Sequence, residues 1–515
     1  MTATTGQLSA AARRVLSLAI DAHRDQPATA GWLHGQLLRL DEPLRVAIAG
    51  KVKAGKSTLL NALVGEQVAP TDAGECTRVV TWYADGHTPR ITLHPTEGEP
   101  SPLPVRRRDG ALVIDLAGTP AERVDRLMVH WPSQNLRATT LIDTPGIASV
   151  TAENSRRTLR FFGAAPDLDE DTPTEADAVV YLMRHLHAAD AEFLSSFADR
   201  GVARATAINT IAVLSRADEI GGGRVDAMFA ARGIAQRYRV DPAVRGLCQN
   251  VVAVAGLIAE TGRTLRQQEF AALATLASAP RAELEAELRS VDRFLAAHAG
   301  GARRDPAAGD AAPGVDTATR RRLLARFGIF GIRLSTSLIR QGAGSPAALS
   351  AELVARSGLG ELQRVLHTQF GQRRDLLKAR SALLAADSVL RTSGRAGALL
   401  GEIERVLAGA HELAELRMLA ALRAGPVGLP REALAEAERL LGDAGAAATD
   451  RLGLPADAAA PELRDAAFAA HGRWQQHATN PLFGRATAEV CRVVIRSCEG
   501  ILDDLHRAEP ARPGR

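Results

Sequence analysis

Two glycines five residues apart, followed by a lysine and a hydroxyl, form the segment Gly50-Lys51-Val52-Lys53-Ala54-Gly55-Lys56-Ser57. It fits G-x-x-x-x-G-K-S, a loop whose backbone N–H groups turn towards phosphates. The apolar run Leu44 to Ala49 before it reads as a buried strand, and Thr58 to Val64 after it as a helix. That order places the positive end of the helix at the loop, where it favours anions. Gly50, Ala54, Gly55 and Thr58 would line the phosphates and Lys56 would reach the β- and γ-phosphates, with the Ser57 hydroxyl on Mg2+.

Further polar groups follow in a fixed order. Leu141-Ile142-Asp143-Thr144-Pro145-Gly146 ends a second strand in D-x-x-G, with Asp143 suited to hold Mg2+ through water and the Gly146 amide to sense a γ-phosphate. Ile211 to Leu214 lead into Ser215-Arg216-Ala217-Asp218, which fits a guanine-reading element. A carboxylate there accepts two hydrogen bonds from guanine that adenine cannot supply, so adenine nucleotides are disfavoured. Ala255 and Gly256, at the end of Val251-Val252-Ala253-Val254, occupy the place of a segment that packs around the base. Thr77, in Cys76-Thr77-Arg78, is the candidate switch threonine, contributing to Mg2+ and to the attacking water. An ordinary structural role exists for each alone: Asp143 could cap a turn and Asp218 a helix. Their order argues for one nucleotide site.

The elements that must position these residues alternate. Strand signals at 78–84, 90–94, 111–116, 126–131, 138–143, 177–183, 210–215 and 250–254 are separated by turns such as Asp85-Gly86 and Pro145-Gly146. An α/β domain with a central, mostly parallel sheet is expected over 44–260. Residues 7–40 read as one or two helices, and strand signals vanish after about 257. Phe370, Leu377 and Leu384, and Leu376, Leu383 and Leu390, repeat every seven residues. Leu399, Ile403, Val406, Ala410 and Leu413 continue at three and four, the spacing of bundle helices. Long bundle helices are therefore expected over 261–480, with a linker at 299–316, and a last helix in 481–515.

With 515 residues, 46% of them hydrophobic, the chain can build two or three cores. A net charge of +4 with no dense basic block gives no reason to expect nucleic-acid binding. Arg106-Arg107-Arg108 and Arg320-Arg321-Arg322 read as solvated faces. Cys76, Cys248, Cys491 and Cys498 lack metal-ligand spacing, which fits a reducing interior. No apolar run of about 18 residues occurs, so a spanning helix is not expected.

The order GKVKAGKS, ECTRVV, DTPGI and SRAD resembles the dynamin superfamily of large GTPases, and within it bacterial dynamin-like proteins, particularly the isoniazid-inducible ones of actinobacteria. The resemblance implies an all-α elongated stalk over 261–480, with residues 1–43 and the last helix, in 481–515, joining a bundle beside the nucleotide domain. It implies GTP hydrolysis with Mg2+ and self-association, or pairing with a related dynamin-like protein. It also implies peripheral action on the cell membrane from the cytoplasm, on anionic lipid. Two positions depart from the pattern. Val52 stands where dynamins place a water-positioning glutamine, and Arg216 where the guanine element carries lysine. Lys53 follows, where guanylate-binding relatives keep an arginine finger, and is the candidate source of transition-state charge; the plainer reading is a solvent-facing lysine. Leu422 to Pro430 reads either as a lipid-contacting tip or as an ordinary interhelical turn, and Phe327 to Ile332 as buried core. A regulatory GTPase that switches a protein partner is the alternative function.

Overall fold

The computed structural model describes residues 3–70, 78–146, 175–185, 208–241, 244, 247–296, 314–393, 397–424 and 428–508. A nine-stranded mixed sheet in the order β11-β10-β9-β1-β8-β2-β7-β3-β4 organises the first half. Its strands are β1 (Leu44–Gly50), β2 (Val80–Asp85), β3 (Arg90–Pro95), β4 (Ser101–Leu103), β7 (Val124–Trp131), β8 (Thr139–Asp143), β9 (Ala178–Met183), β10 (Thr210–Leu214) and β11 (Asn250–Ala253). β5 (Arg106–Arg108) and β6 (Ala111–Val113) form a separate hairpin. The stretch β11-β10-β9-β1-β8 is parallel throughout, and β2 joins it antiparallel to β8. Continuous apolar runs such as Ala178–Met183 are buried along their whole length, as parallel strands covered on both faces must be.

One face of the sheet belongs to a core that includes α1 (Ala3–Ala22), α2 (Pro27–Arg39), α3 (Lys56–Val64) and the helices after residue 358. Pro27 starts α2 at the only position where its missing N–H costs nothing, so the run 7–40 becomes two helices. The buried Arg39–Asp177 pair, 3.0 Å apart, ties α2 to the sheet. The other face carries a second core with the helices Ala227–Val240, Gly256–Arg263, Gln267–Ser278, Thr317–Arg340 and Pro346–Arg356. Phe327, Phe330 and Ile332 are buried there. The change of packing thus falls near residue 357, not at 260, because the helices from 256 to 356 cover a sheet face.

Leu359–Leu366 and Arg374–Ser393 are separated by a widened π turn over His367–Gly371, which falls inside the stretch with the seven-residue repeat. Of the heptad residues, Phe370, Leu376, Leu377, Leu383 and Leu390 are nonetheless buried, and Leu384 is half-buried against the same core. Gly397–Gly409, His411–Ala424, Arg431–Leu440, Ala448–Leu452, Ala460–Ala478 and Arg485–Ala508 complete the chain. α1 packs chiefly on Arg374–Ser393, whereas the last helix packs chiefly on Ala460–Ala478 and His411–Ala424. The described part of Leu422 to Pro430 is mixed: Gly428 and Pro430 are exposed, whereas Leu422 and Arg423 are engaged by the rest of the chain. Leu422 is buried, and Arg423 donates to the Gln249 side chain at 2.9 Å and pairs with Asp443. Leu429 packs on the core, and 425–427 lie outside the described residues.

Candidate functional site

β1 ends at Gly50 and α3 begins at Lys56, so the loop between them lies at the carboxyl ends of the parallel strands, where open α/β sheets bind ligands. Lys56 reaches back over the loop, its Nζ donating to the Gly50 carbonyl at 3.3 Å and the Lys51 carbonyl at 3.5 Å. Lys53 is exposed at φ 61°, a left-handed conformation that costs a non-glycine residue about 1–2 kcal/mol. Val52 is 48% exposed.

β8 runs parallel to β1 and delivers Asp143 to the foot of the loop. The Ser57 hydroxyl donates to Asp143 Oδ2 at 2.8 Å, while buried Asp143 Oδ1 has no hydrogen-bond partner among the described residues. Burial pushes the Lys56 ammonium below its usual value, against the pull of Asp143. Burial likewise raises the Asp143 carboxyl, against Lys56 and the Ser57 hydroxyl. Each desolvated charge lacks full compensation, and phosphate oxygens near Lys56 and a cation near Asp143 would supply it. The orphaned carboxylate oxygen beside a serine hydroxyl fits a hard cation that takes oxygen ligands. Thr144 fixes the turn after β8, its hydroxyl donating to the Ile48 carbonyl at 2.9 Å. Gly146 then lies against the loop so closely that a Cβ would stand 2.5 Å from Val52 Cγ2 and 2.9 Å from Val52 Cα. Only glycine brings its backbone amide to that position. Thr77 lies outside the described residues.

Beside the loop is a pocket of about 150 Å3 whose lining includes Ala54, Gly55, Thr58, Asp218, Val254 and Gly256. Ser215 N–H and Oγ–H both donate to the Met183 carbonyl, at 2.8 and 3.2 Å, and Ala217 N–H donates to the Val254 carbonyl at 3.3 Å. These bonds splice the ends of β9, β10 and β11 into one wall. Asp218 is only 9% exposed, and burial raises its carboxyl above the usual range. Arg216 adopts φ 51° and pairs with Glu219 at 2.6 Å, while Arg184, just after β9, pairs with the other oxygen of Glu219. Ala255 does not line the pocket; its N–H donates to the Ser357 carbonyl at 2.9 Å.

The structure therefore brings Lys56, Ser57, Asp143 and Gly146 to one end of a site and Arg216, Asp218 and Gly256 to the other. Sequence reasoning missed Glu219 and Arg184. Glu219 stands three residues after Arg216, a readable ion-pair spacing, whereas Arg184 is adjacent only through the order of strands.

Residues 46–217 match the Dynamin family. Over 503 aligned residues the chain is 42% identical to the isoniazid-induced protein IniC of Mycobacterium tuberculosis, covering 96% of this chain and 98% of that protein. A bacterial dynamin-like protein of Nostoc punctiforme is 32% identical over 125 residues, covering 21% of this chain and 18% of that one. A solved structure described as an oligomerised bacterial dynamin pair aligns with 98% of this chain and 74% of its own at 13% identity. Its TM-score of 0.31 is too low to bear on how the parts are arranged.

Proposed function

The chain belongs to the dynamin-like family of the isoniazid-induced protein IniC, and from that membership we propose that it binds and hydrolyses GTP with Mg2+, self-associates, and acts peripherally on membranes. The observation that supports this most is the single pocket joining the P-loop residues Ala54, Gly55 and Thr58 to buried Asp218. An acceptor carboxylate within reach of a phosphate cradle selects guanine over adenine nucleotides.

In this reading Lys56 and the loop amides hold the β- and γ-phosphates, and the Gly146 amide meets the γ-phosphate. Ser57 and Asp143 hold the cation, Asp143 through water. Mg2+, when bound, neutralises charge across the β- and γ-phosphates. Thr77 contributes to the cation and to the attacking water. The Arg216 stem covers the base face, with Glu219 and Arg184 fixing its head. Val52 has no polar group with which to position water, so turnover depends on charge brought by Lys53, whose exposed position suits completion of the site by a second head. A lysine there adds less than the roughly 10³–10⁵-fold of an arginine finger, since it lacks the planar fork.

One observation favours the alternative, a regulatory GTPase that switches a protein partner. Arg423, in the segment expected to reach lipid, is engaged by Gln249 and Asp443. Steady-state GTP hydrolysis, measured over a protein concentration series with and without anionic liposomes, separates the two. The membrane reading expects turnover that rises with both lipid and concentration, is lost in Lys56→Ala and loses its concentration dependence in Lys53→Ala. Turnover indifferent to lipid and concentration would leave a GTPase and move the regulatory reading to the front.

A further inference from the structure

The base-side wall of the pocket is built on an edge strand of the sheet. Among the described residues β11 lies at its edge and pairs only with β10, yet it leads directly into Val254 and Gly256, which line the pocket. An edge strand holds position less firmly than an interior one, because half of its backbone groups have no neighbouring strand. Here the rest of the chain holds the strand at its middle and at both flanks. At the start of β11, Arg423 donates to the carbonyl and side-chain oxygens of Gln249 and anchors on Asp443, all through residues after 410. In the middle, Arg239 Nε donates to the Val251 carbonyl at 2.8 Å, and its Nη2 pairs with Glu361 at 2.8 Å. Beyond the end, Ala255 N–H donates to the Ser357 carbonyl at 2.9 Å.

Gly358 makes the last of these contacts the tightest. It has φ 82°, and a Cβ at that position would stand 2.1 Å from the Ala253 carbonyl oxygen and 3.4 Å from Val254 Cα. Both atoms are backbone, so no rotamer change relieves the clash. The strand end must move, and Val254 is the next residue.

We propose that Ser357, Gly358, Glu361 with Arg239, and Arg423 are positioning residues for guanine recognition. None of them lines the pocket, and they act by holding β11 and the Val254–Gly256 segment against the base. This rests on the guanine-site reading above. These contacts thereby set base affinity through β11, whereas the P-loop follows the interior strand β1.

The test compares a ligand that needs the base wall with one that does not. GDP and inorganic pyrophosphate, each with Mg2+, are titrated into the full chain by calorimetry, with ADP as a reference. In Gly358→Ala, GDP binding is expected to weaken by about tenfold or more, the equivalent of roughly 1.4 kcal/mol. Pyrophosphate binding is expected to stay within about twofold of the parent, since no phosphate contact moves. Glu361→Gln, which keeps the side chain's shape, is the milder variant and is expected to weaken GDP by a few-fold with the same indifference to pyrophosphate. Equal losses for both ligands would reduce the contact to general stability and overturn the proposal, as would unchanged GDP affinity in folded protein. If Gly358→Ala does not fold, Glu361→Gln decides by the same comparison. A parent that binds ADP as well as GDP would overturn the guanine reading and this inference together. A parent that prefers GDP, with variants indifferent to the base, would overturn this inference alone.

Discussion

Asp218 carries the base specificity proposed for this chain, and its environment sets how pH acts on it. Guanine offers two N–H donors to a carboxylate acceptor; a protonated carboxyl loses one acceptor and opposes a donor with a donor. Burial raises the Asp218 carboxyl above its usual range, so protonation begins at a higher pH than for an exposed aspartate near 3.9. The sign follows. GDP affinity is full where the carboxylate is ionised and falls as pH drops towards the raised value, earlier than exposed carboxylates titrate. Calorimetric GDP titrations from pH 8 downwards should show this decline. Asp218→Asn should flatten it and cost about 2–4 kcal/mol of GDP binding, since the amide places a donor where guanine also donates. Xanthine carries a carbonyl at the position of that guanine amino group, so the same variant should gain affinity for XDP. A variant with parent-like affinity and the parent pH profile would remove Asp218 from the base site.

At the scale of elements, the helix Thr317–Arg340 decides where the nucleotide-binding unit ends. Its Phe327 is fully buried in the core beneath the sheet, and Gly331 approaches Ile258 so closely that a Cβ would stand 2.5 Å from Ile258 Cδ1. Phe327→Ala should cost about 3–5 kcal/mol. The decisive measurement is which denaturation transition moves: the one that GDP shifts upward should be the one this variant shifts downward. A GDP-sensitive transition untouched by Phe327→Ala would return the helix to the stalk. The nucleotide motifs and their strands were legible in the sequence because phosphate and base chemistry demands fixed residue types at strand ends, and because buried parallel strands read as apolar runs. Arg106–Arg108 in β5 carried no strand signal, since all three side chains are exposed and none alternates with an apolar partner. The allegiance of helices 256–356 was equally hidden. An amphipathic stripe declares that a helix buries one face, and a sheet serves that face as well as another helix does. Leu422 and Arg423 read as a tip for the same reason: a short turn with a cation and apolar neighbours looks alike whether it meets lipid or Gln249.

At the scale of the whole molecule, the sheet's two faces belong to different cores, one shared with the N- and C-terminal helices and the other with 227–356. Loss of the helical half therefore uncovers one face of the sheet that carries the site, and helical stability becomes head stability. Glu415 is the group through which acid reaches that half. It is buried among Arg451, His411 and the Ser497 hydroxyl, which donates to it at 2.6 Å. Burial alone would raise its carboxyl, but Arg451, the His411 ring and the Ser497 hydroxyl outweigh it and bring it down to about 2. A carboxylate depressed on folding contributes stability that is fully present above its unfolded value near 4.3 and disappears as pH falls through the folded one. The window is therefore about pH 4.5 down to 2, and the contribution is on the order of 3 kcal/mol. Glu415→Gln should lower stability at neutral pH by at least that order, because Arg451 is left buried without its counter-charge. The difference between parent and variant should then narrow steadily across the window, as the parent loses what the variant never had. Urea melts at pH 7, 4.5 and 3, with GDP binding followed in parallel, would show both the narrowing and whether the site is lost with the helices. A constant difference at all three values would place the stabilisation in packing rather than in charge.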